Sequence, residues 1–169
     1  MLRDFSFYQF IRTKENVFFP EWIKNYDNSN SRISYLLNQI VYSQSSVFSS
    51  NTAATNSGMT NGIYGETLQT GTDNSSIEWI KMDLGAIANV KSVVIGCDLN
   101  SILLGGWGKN YTANKNIQYS TDNINWTQAF NTGAFNQGIQ TYPVNFSTRY
   151  IRIYATGWVC LTEFYATGS

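Results

Sequence analysis

Two periods of apolar and polar residues divide this chain. From Trp79 to Gly85 the sequence Trp-Ile-Lys-Met-Asp-Leu-Gly alternates Ile80, Met82 and Leu84 with Trp79, Lys81 and Asp83, the period of a strand with one buried face. Gly85 is expected to end that strand, with turn residues Asn74-Ser75-Ser76 before it and Asn89 after it. Val90 to Leu99 predicts the next strand, placing Val93, Ile95, Cys97 and Leu99 on one face. Phe135 to Phe146 supplies one or two more through Ile139, Tyr142 and Val144, and Pro143 marks an edge or a bulge. Farther on, Ile151 and Ile153 point inward while Tyr150, Arg152 and Tyr154 face the other way. Helical spacing occurs once. Ile33, Leu36, Leu37, Ile40 and Val41 recur at i, i+3, i+4, i+7 and i+8, so Ser31 to Tyr42 reads as a short amphipathic helix capped by Asn30 or Ser31. The pattern predicts an all-β antiparallel sandwich over 43–169, preceded over 1–42 by an aromatic, irregular segment and that helix.

The connections carry the remaining information. Ser43 to Ser76 is rich in Ser, Thr, Asn and Gly, too polar for continuous strand and longer than an ordinary loop. Asn100 to Asn114 holds Leu103-Leu-Gly-Gly-Trp-Gly-Lys-Asn-Tyr111, in which Trp107 stands among three Gly residues with little local packing. Trp107 either folds back into the core or serves as a surface platform; Lys109, Asn110 and Tyr111 beside it favour the platform, because these side chains hydrogen-bond hydroxyls. Trp158, next to Gly157, is a second aromatic in a turn, and Tyr64 a third candidate. Asn123 occupies a hairpin turn that needs the left-handed conformation, which Asn tolerates. Trp126 reads as core, and Arg149 and Arg152 read as cover for a sheet rather than as ligands.

Composition narrows the chemistry. A chain of 169 residues can bury about 70% of its unfolded surface without a covalent staple. Eleven basic and eleven acidic residues cancel, which argues against nucleic acid or an anionic membrane as the main partner. No His is present, so the usual general base, a Ser-His-Asp triad and every His-ligated metal site are excluded. With Cys97 on a core strand and no clustered carboxylate pair in sequence, no activated nucleophile can be assembled, and an enzyme is not expected. Cys97 and Cys160 are expected to remain thiols. The 19 Asn, 17 Ser and 16 Thr residues, beside an aromatic content of 15%, suit a sugar ligand, held by amides, hydroxyls and rings; they suit equally an all-β protein with long loops. The start shows no secretory signature and no segment approaches a membrane span. A mature form, a cut piece, or a protein carried to the outside on a virus particle all fit.

Four stretches together resemble the discoidin domains, the coagulation factor V/VIII C-type family, whose relatives include many galactose-binding-like carbohydrate-binding modules. They are Trp79 to Gly85; Ile117-Gln-Tyr-Ser-Thr-Asp-Asn-Ile-Asn-Trp126; Thr148-Arg-Tyr-Ile-Arg-Ile153; and Trp158-Val-Cys-Leu-Thr-Glu-Phe-Tyr165. The resemblance spans roughly 43–167 and implies a jelly-roll sandwich. It also implies a structural Ca²⁺, held by a turn similar to Thr60-Asn-Gly-Ile-Tyr-Gly-Glu-Thr67 and by the Glu of the last strand, here Glu163. Asn61 replaces the family's acidic residue, which leaves Glu163, Glu66 and the neutral oxygens of Asn61 and Thr67 as donors; a plain hydrogen-bonded turn is the alternative.

The expected function is a non-catalytic carbohydrate-binding or adhesion module at a cell, virus or phage surface. Its glycan site would comprise Trp107, Lys109, Asn110, Tyr111, Trp158 and Tyr64, with the amino-terminal segment covering the sandwich or docking onto neighbouring subunits. The alternative is a structural or decoration protein that uses the same fold only for protein contacts.

Overall fold

The computed structural model describes residues 40–48, 70–74, 76–97, 108–135 and 138–168. The strands are β1 (Val41–Gln44), β2 (Thr70–Gly71), β3 (Glu78–Gly96), β4 (Asn116–Ser120), β5 (Thr127–Asn131), β6 (Ile139–Ala155), β7 (Cys160–Leu161) and β8 (Glu163–Gly168), with one short helix, α1 (Gly108–Thr112), before β4. The larger sheet runs β1-β3-β6-β4-β5 with β8 also on β3, and β2 pairs with β7. All pairings are antiparallel.

The fold is a β-sandwich built on one long ribbon. β3 and β6 pair along their whole length, Glu78 opposite Ala155 at one end and Gly96 opposite Ile139 at the other. The first half of β3 takes β1 on its free edge and the second half takes β8. Between the halves the register breaks from Asp83 to Ala88, where four residues of β3 stand against one of β6. Gly85 adopts φ 79° there, a left-handed value that Gly reaches without the Cβ penalty. Such an excursion bends a strand. The residues on either side of it, Ile80, Met82 and Leu84 before and Val90, Val93 and Ile95 after, belong to one buried cluster with Ile117, Ile151, Ile153 and Phe164. The Tyr42 hydroxyl of β1 donates to the Phe164 carbonyl of β8, tying the two halves together from their outer strands.

Several sequence expectations change. Gly85 ends only the first half of a strand, because the chain bends and returns to the same partner. Phe135 to Ile153 likewise yields one long strand, β6, with Phe135 buried just ahead of it. A second register shift, between Val90 and Ser92, lies opposite Pro143, which is the bulge its missing N–H requires. Val41 and Tyr42 are strand, pairing with Asp83 and Met82, and Ile40 is not helical, so the helix expected over Ser31 to Tyr42 does not include its last three residues; residues 31–39 lie outside the described residues. Ser43 and Gln44, assigned to the loop, complete β1. Trp126 is not core: it is half-buried and the Arg152 guanidinium lies 3.9 Å from its ring centre. The hairpin turn is as expected, with Asn123 at φ 63°. Cys97 and Cys160 are buried thiols.

Candidate functional site

Three connections meet beyond the β2/β7 pair. Thr72 and Val159 bridge two of them: the Thr72 amide donates to the Val159 carbonyl at 3.0 Å and the Thr72 hydroxyl accepts from the Val159 amide at 2.9 Å. The segment 72–74 is thereby laid against the turn 156–158. Gly157 is in the left-handed region at φ 80°, and a Cβ there would stand 2.9 Å from the Asn74 side-chain oxygen. The backbone of the turn and the Asn74 amide group are therefore in close approach, which only Gly permits.

The third connection enters through α1. A helix of five residues cannot hold itself, since nucleation costs more than one turn of hydrogen bonds returns. Tertiary bonds fix it instead. The Thr112 hydroxyl donates to the Cys160 carbonyl at 2.6 Å, and the Thr132 hydroxyl donates to the Thr112 carbonyl at 2.8 Å; both threonines are buried. Holding Thr112 at β7 brings its neighbour Tyr111 against Trp158, with ring centroids 5.1 Å apart and planes at 49°. Both rings are half-buried and Asn110 is exposed. The result is a tilted aromatic pair at the surface, with amide side chains, Asn110 and Asn74, on the two connections beside it.

The structure thus brings together Asn110, Tyr111 and Trp158 of the expected sugar site, while Lys109 lies within α1. Trp107 and Tyr64 lie outside the described residues, as do Asn61, Glu66 and Thr67 of the expected metal set. Asn74 and Gly157 were not singled out for the site by sequence reasoning. Asn74-Ser75-Ser76 read only as a flank of the following strand, and nothing in sequence spacing joins it to residue 157.

Glu163 opens β8 opposite Gly96 and is fully buried. Its charge contributes to two raised phenol pKa values. Burial first, then Glu163, then Tyr165 push Tyr42 well above the usual tyrosine range. Burial and then Glu163 push Tyr165 up to about 12. A carboxylate in this position is an oxygen donor of the kind Ca²⁺ takes. Among the described residues no group of three or more His, Cys, Asp or Glu side chains is assembled that could hold a metal.

Arg149 and Arg152 both lie against side chains of the sheet. Arg149 grips Asp83, and Arg152 lies over Trp126 and Tyr154 at 3.9 and 4.7 Å while its Nε donates to Gln118 at 2.7 Å.

The fold has well-populated company. A fucose-binding module of Streptococcus pneumoniae superposes with a TM-score of 0.63 at 17% identity, over 76% of this chain and 90% of that one. A fucolectin from striped bass, Morone saxatilis, gives 0.63 at 21% identity over 77% of this chain and 45% of that one. A Clostridium perfringens module described in complex with GalNAc-β-1,3-galactose gives 0.59 at 13% identity over 76% and 95%. A comparison with curated protein sequences returned no match. The F5/8 type C domain model matches residues 41–166, the span of the sandwich from β1 into β8, and the chain belongs to that family.

Proposed function

We propose that this protein is a non-catalytic carbohydrate-binding or adhesion module, displayed at a cell or particle surface, that takes a neutral glycan on the loop end of its sandwich. The observation that carries this reading is the Tyr111–Trp158 pair: two half-buried rings, the first positioned by the buried hydrogen bond of its neighbour Thr112 to β7. Aromatic faces accept the C–H face of a pyranose, and the amides of Asn110 and Asn74 are suited to its hydroxyls. Relatives of the same fold that are described as binding fucose, a galactosamine-galactose disaccharide or Lewis B antigen support the choice of ligand class. Lys109, Trp107 and Tyr64 extend the proposed site on the sequence argument alone.

Such a shallow site buries little area, so the affinity is in the micromolar to millimolar range, about 4 to 8 kcal/mol. Surface display compensates through multivalency. The test is a glycan array followed by calorimetric titration of Trp158→Ala and Tyr111→Ala. Loss of binding with the melting temperature nearly unchanged is expected. Retention of binding in both variants would overturn the site, and silence across a broad array would favour the decoration role for the fold.

A further inference from the structure

The outer face of the larger sheet carries a row of polar side chains that the loop site does not use. Cross-strand partners point to the same side, so the register places Ser43, Lys81, Arg152, Gln118 and Gln128 in one line across β1, β3, β6, β4 and β5. Five strands at about 4.8 Å spacing make a track roughly 19 Å long. At its middle Lys81 and Arg152 are direct partners, two cations side by side. Like charges directly opposite each other destabilise a sheet. The carboxylate on this face, Asp83, is engaged by Arg149 through two hydrogen bonds. Lys81 donates to the neutral Asn123 side chain and Arg152 to the neutral Gln118 side chain. Partial burial lowers the Lys81 pKa, Asp83 opposes that, and the Arg152 charge lowers it further. Among the described residues of this row and its neighbours, Lys81, Arg152 and Arg149 stand against the one carboxylate of Asp83, in a chain whose net charge is zero.

Aromatic rings border the cationic row on both sides. Trp79 and Tyr154 are register partners one step along the strands, and Tyr150 lies one step the other way. Lys81 Nζ lies 5.2 Å from the centre of the Trp79 ring and 5.7 Å from that of Tyr150. All three rings are half-buried. A flat cationic track between half-buried rings fits an extended chain that offers both a negative charge and flat apolar faces.

We infer that this sheet face is a second binding surface, separate from the loop end, for an acidic polysaccharide whose carboxylate groups sit between Lys81 and Arg152. A carboxylate there would separate the two like charges and accept hydrogen bonds from both, while the pyranose rings lie against Trp79 and Tyr154. A nucleic acid is the poorer occupant, because an excess of two cations would neutralise only about two phosphates.

The test titrates the whole chain with a galacturonic acid hexamer, in parallel with the neutral glycan of the loop site. Lys81→Gln should weaken the hexamer at least tenfold, and Lys81→Gln with Arg152→Gln should abolish its binding; neutral-glycan binding should be unchanged. Trp158→Ala should show the opposite split, so failure of either site is read independently of the other. Lys81→Gln alone removes one of two like charges and should not lower the melting temperature, which keeps the test open should the double variant misfold. Hexamer binding that survives Lys81→Gln, or that vanishes in Trp158→Ala, would overturn the inference. So would absence of hexamer binding, or equal binding of polyglutamate or duplex DNA.

Discussion

Arg149 holds Asp83 through two parallel hydrogen bonds, Nε to Oδ1 at 2.8 Å and a terminal guanidinium nitrogen to Oδ2 at 3.0 Å, beside the break in the β3/β6 register. The Gly85 amide donates to the same carboxylate at 2.8 Å. One side chain thus fixes both the left-handed residue of the excursion and the strand opposite it. The Arg149 hydrogen bonds are the main cause that holds the Asp83 pKa below its ordinary 3.8, against the opposing effect of burial. A carboxylate with a depressed pKa contributes stability that is fully present above its unfolded value and is lost as pH falls through the lowered one. The melting temperature should therefore fall as pH drops below about 4, and Asp83→Asn should lower it by a few degrees at pH 7 and flatten that acid limb. Arg149→Lys keeps the charge but not the fork, and should recover only part of the difference. An acid limb unchanged in Asp83→Asn would show that other carboxylates govern it.

Gly157 is the least replaceable residue of the loop site. At φ 80° any side chain is strained, and here a Cβ would also meet the Asn74 oxygen at 2.9 Å. Gly157→Ala should cost roughly 1–3 kcal/mol and weaken glycan binding by displacing Asn74 from the turn. Denaturant unfolding and titration of the same sample read both effects. A variant of normal stability and affinity would show that the turn relaxes freely.

For the metal, Glu163 is proposed as the principal carboxylate of a structural Ca²⁺. It is fully buried, and Gly96 opposite it gives the room: a Cβ on that glycine would lie 2.7 Å from the Glu163 Cβ. An ion bound only by the folded state stabilises it by mass action, so EDTA should lower the melting temperature of the wild type and leave Glu163→Gln unaffected. Identical melting curves with and without EDTA in the wild type would remove the ion.

How much of this was legible in the sequence follows from which forces are local. Alternation along Trp79 to Leu84 and through Ile151 and Ile153 gave the buried faces directly, because side-chain period is a property of the strand itself. Arg152 on the outer face followed from the same parity, whereas Arg149, of the opposite parity, reaches Asp83 at the register break. Strand ends were harder. Gly85 signals a break in any strand, and only the far partner β6, present on both sides of it, makes that break a bend. Trp126 reads as core in the sequence, yet Arg152 on a neighbouring strand gives its ring a partner on the outer face. The site divided in the same way. Asn110, Tyr111 and Trp158 were visible as aromatic and amide groups beside glycines, whereas Asn74 reaches Gly157 only through the pairing of Thr72 with Val159, a contact across 87 residues.

The loop site depends on one hydroxyl that touches no ligand. Thr112 is fully buried, donates to the Cys160 carbonyl at 2.6 Å, and through its own carbonyl accepts from Thr132 at 2.8 Å. Those bonds fasten the carboxyl end of α1 to β7 and to the residue after β5, and Tyr111, the residue before it, is carried against Trp158 by the same attachment. Thr112→Val keeps the shape of the side chain and removes the donor, leaving the Cys160 carbonyl without it. The expected cost is about 1–3 kcal/mol of stability. Binding should weaken as well, since α1 has little to hold its ring in place once the anchor is gone. The discriminating comparison is Thr112→Ser, which restores the donor without the methyl: it should recover affinity more completely than stability. Equal affinities in Thr112→Val and the wild type, measured where both are folded, would mean that Tyr111 keeps its position without the hydroxyl and that the anchor serves stability alone.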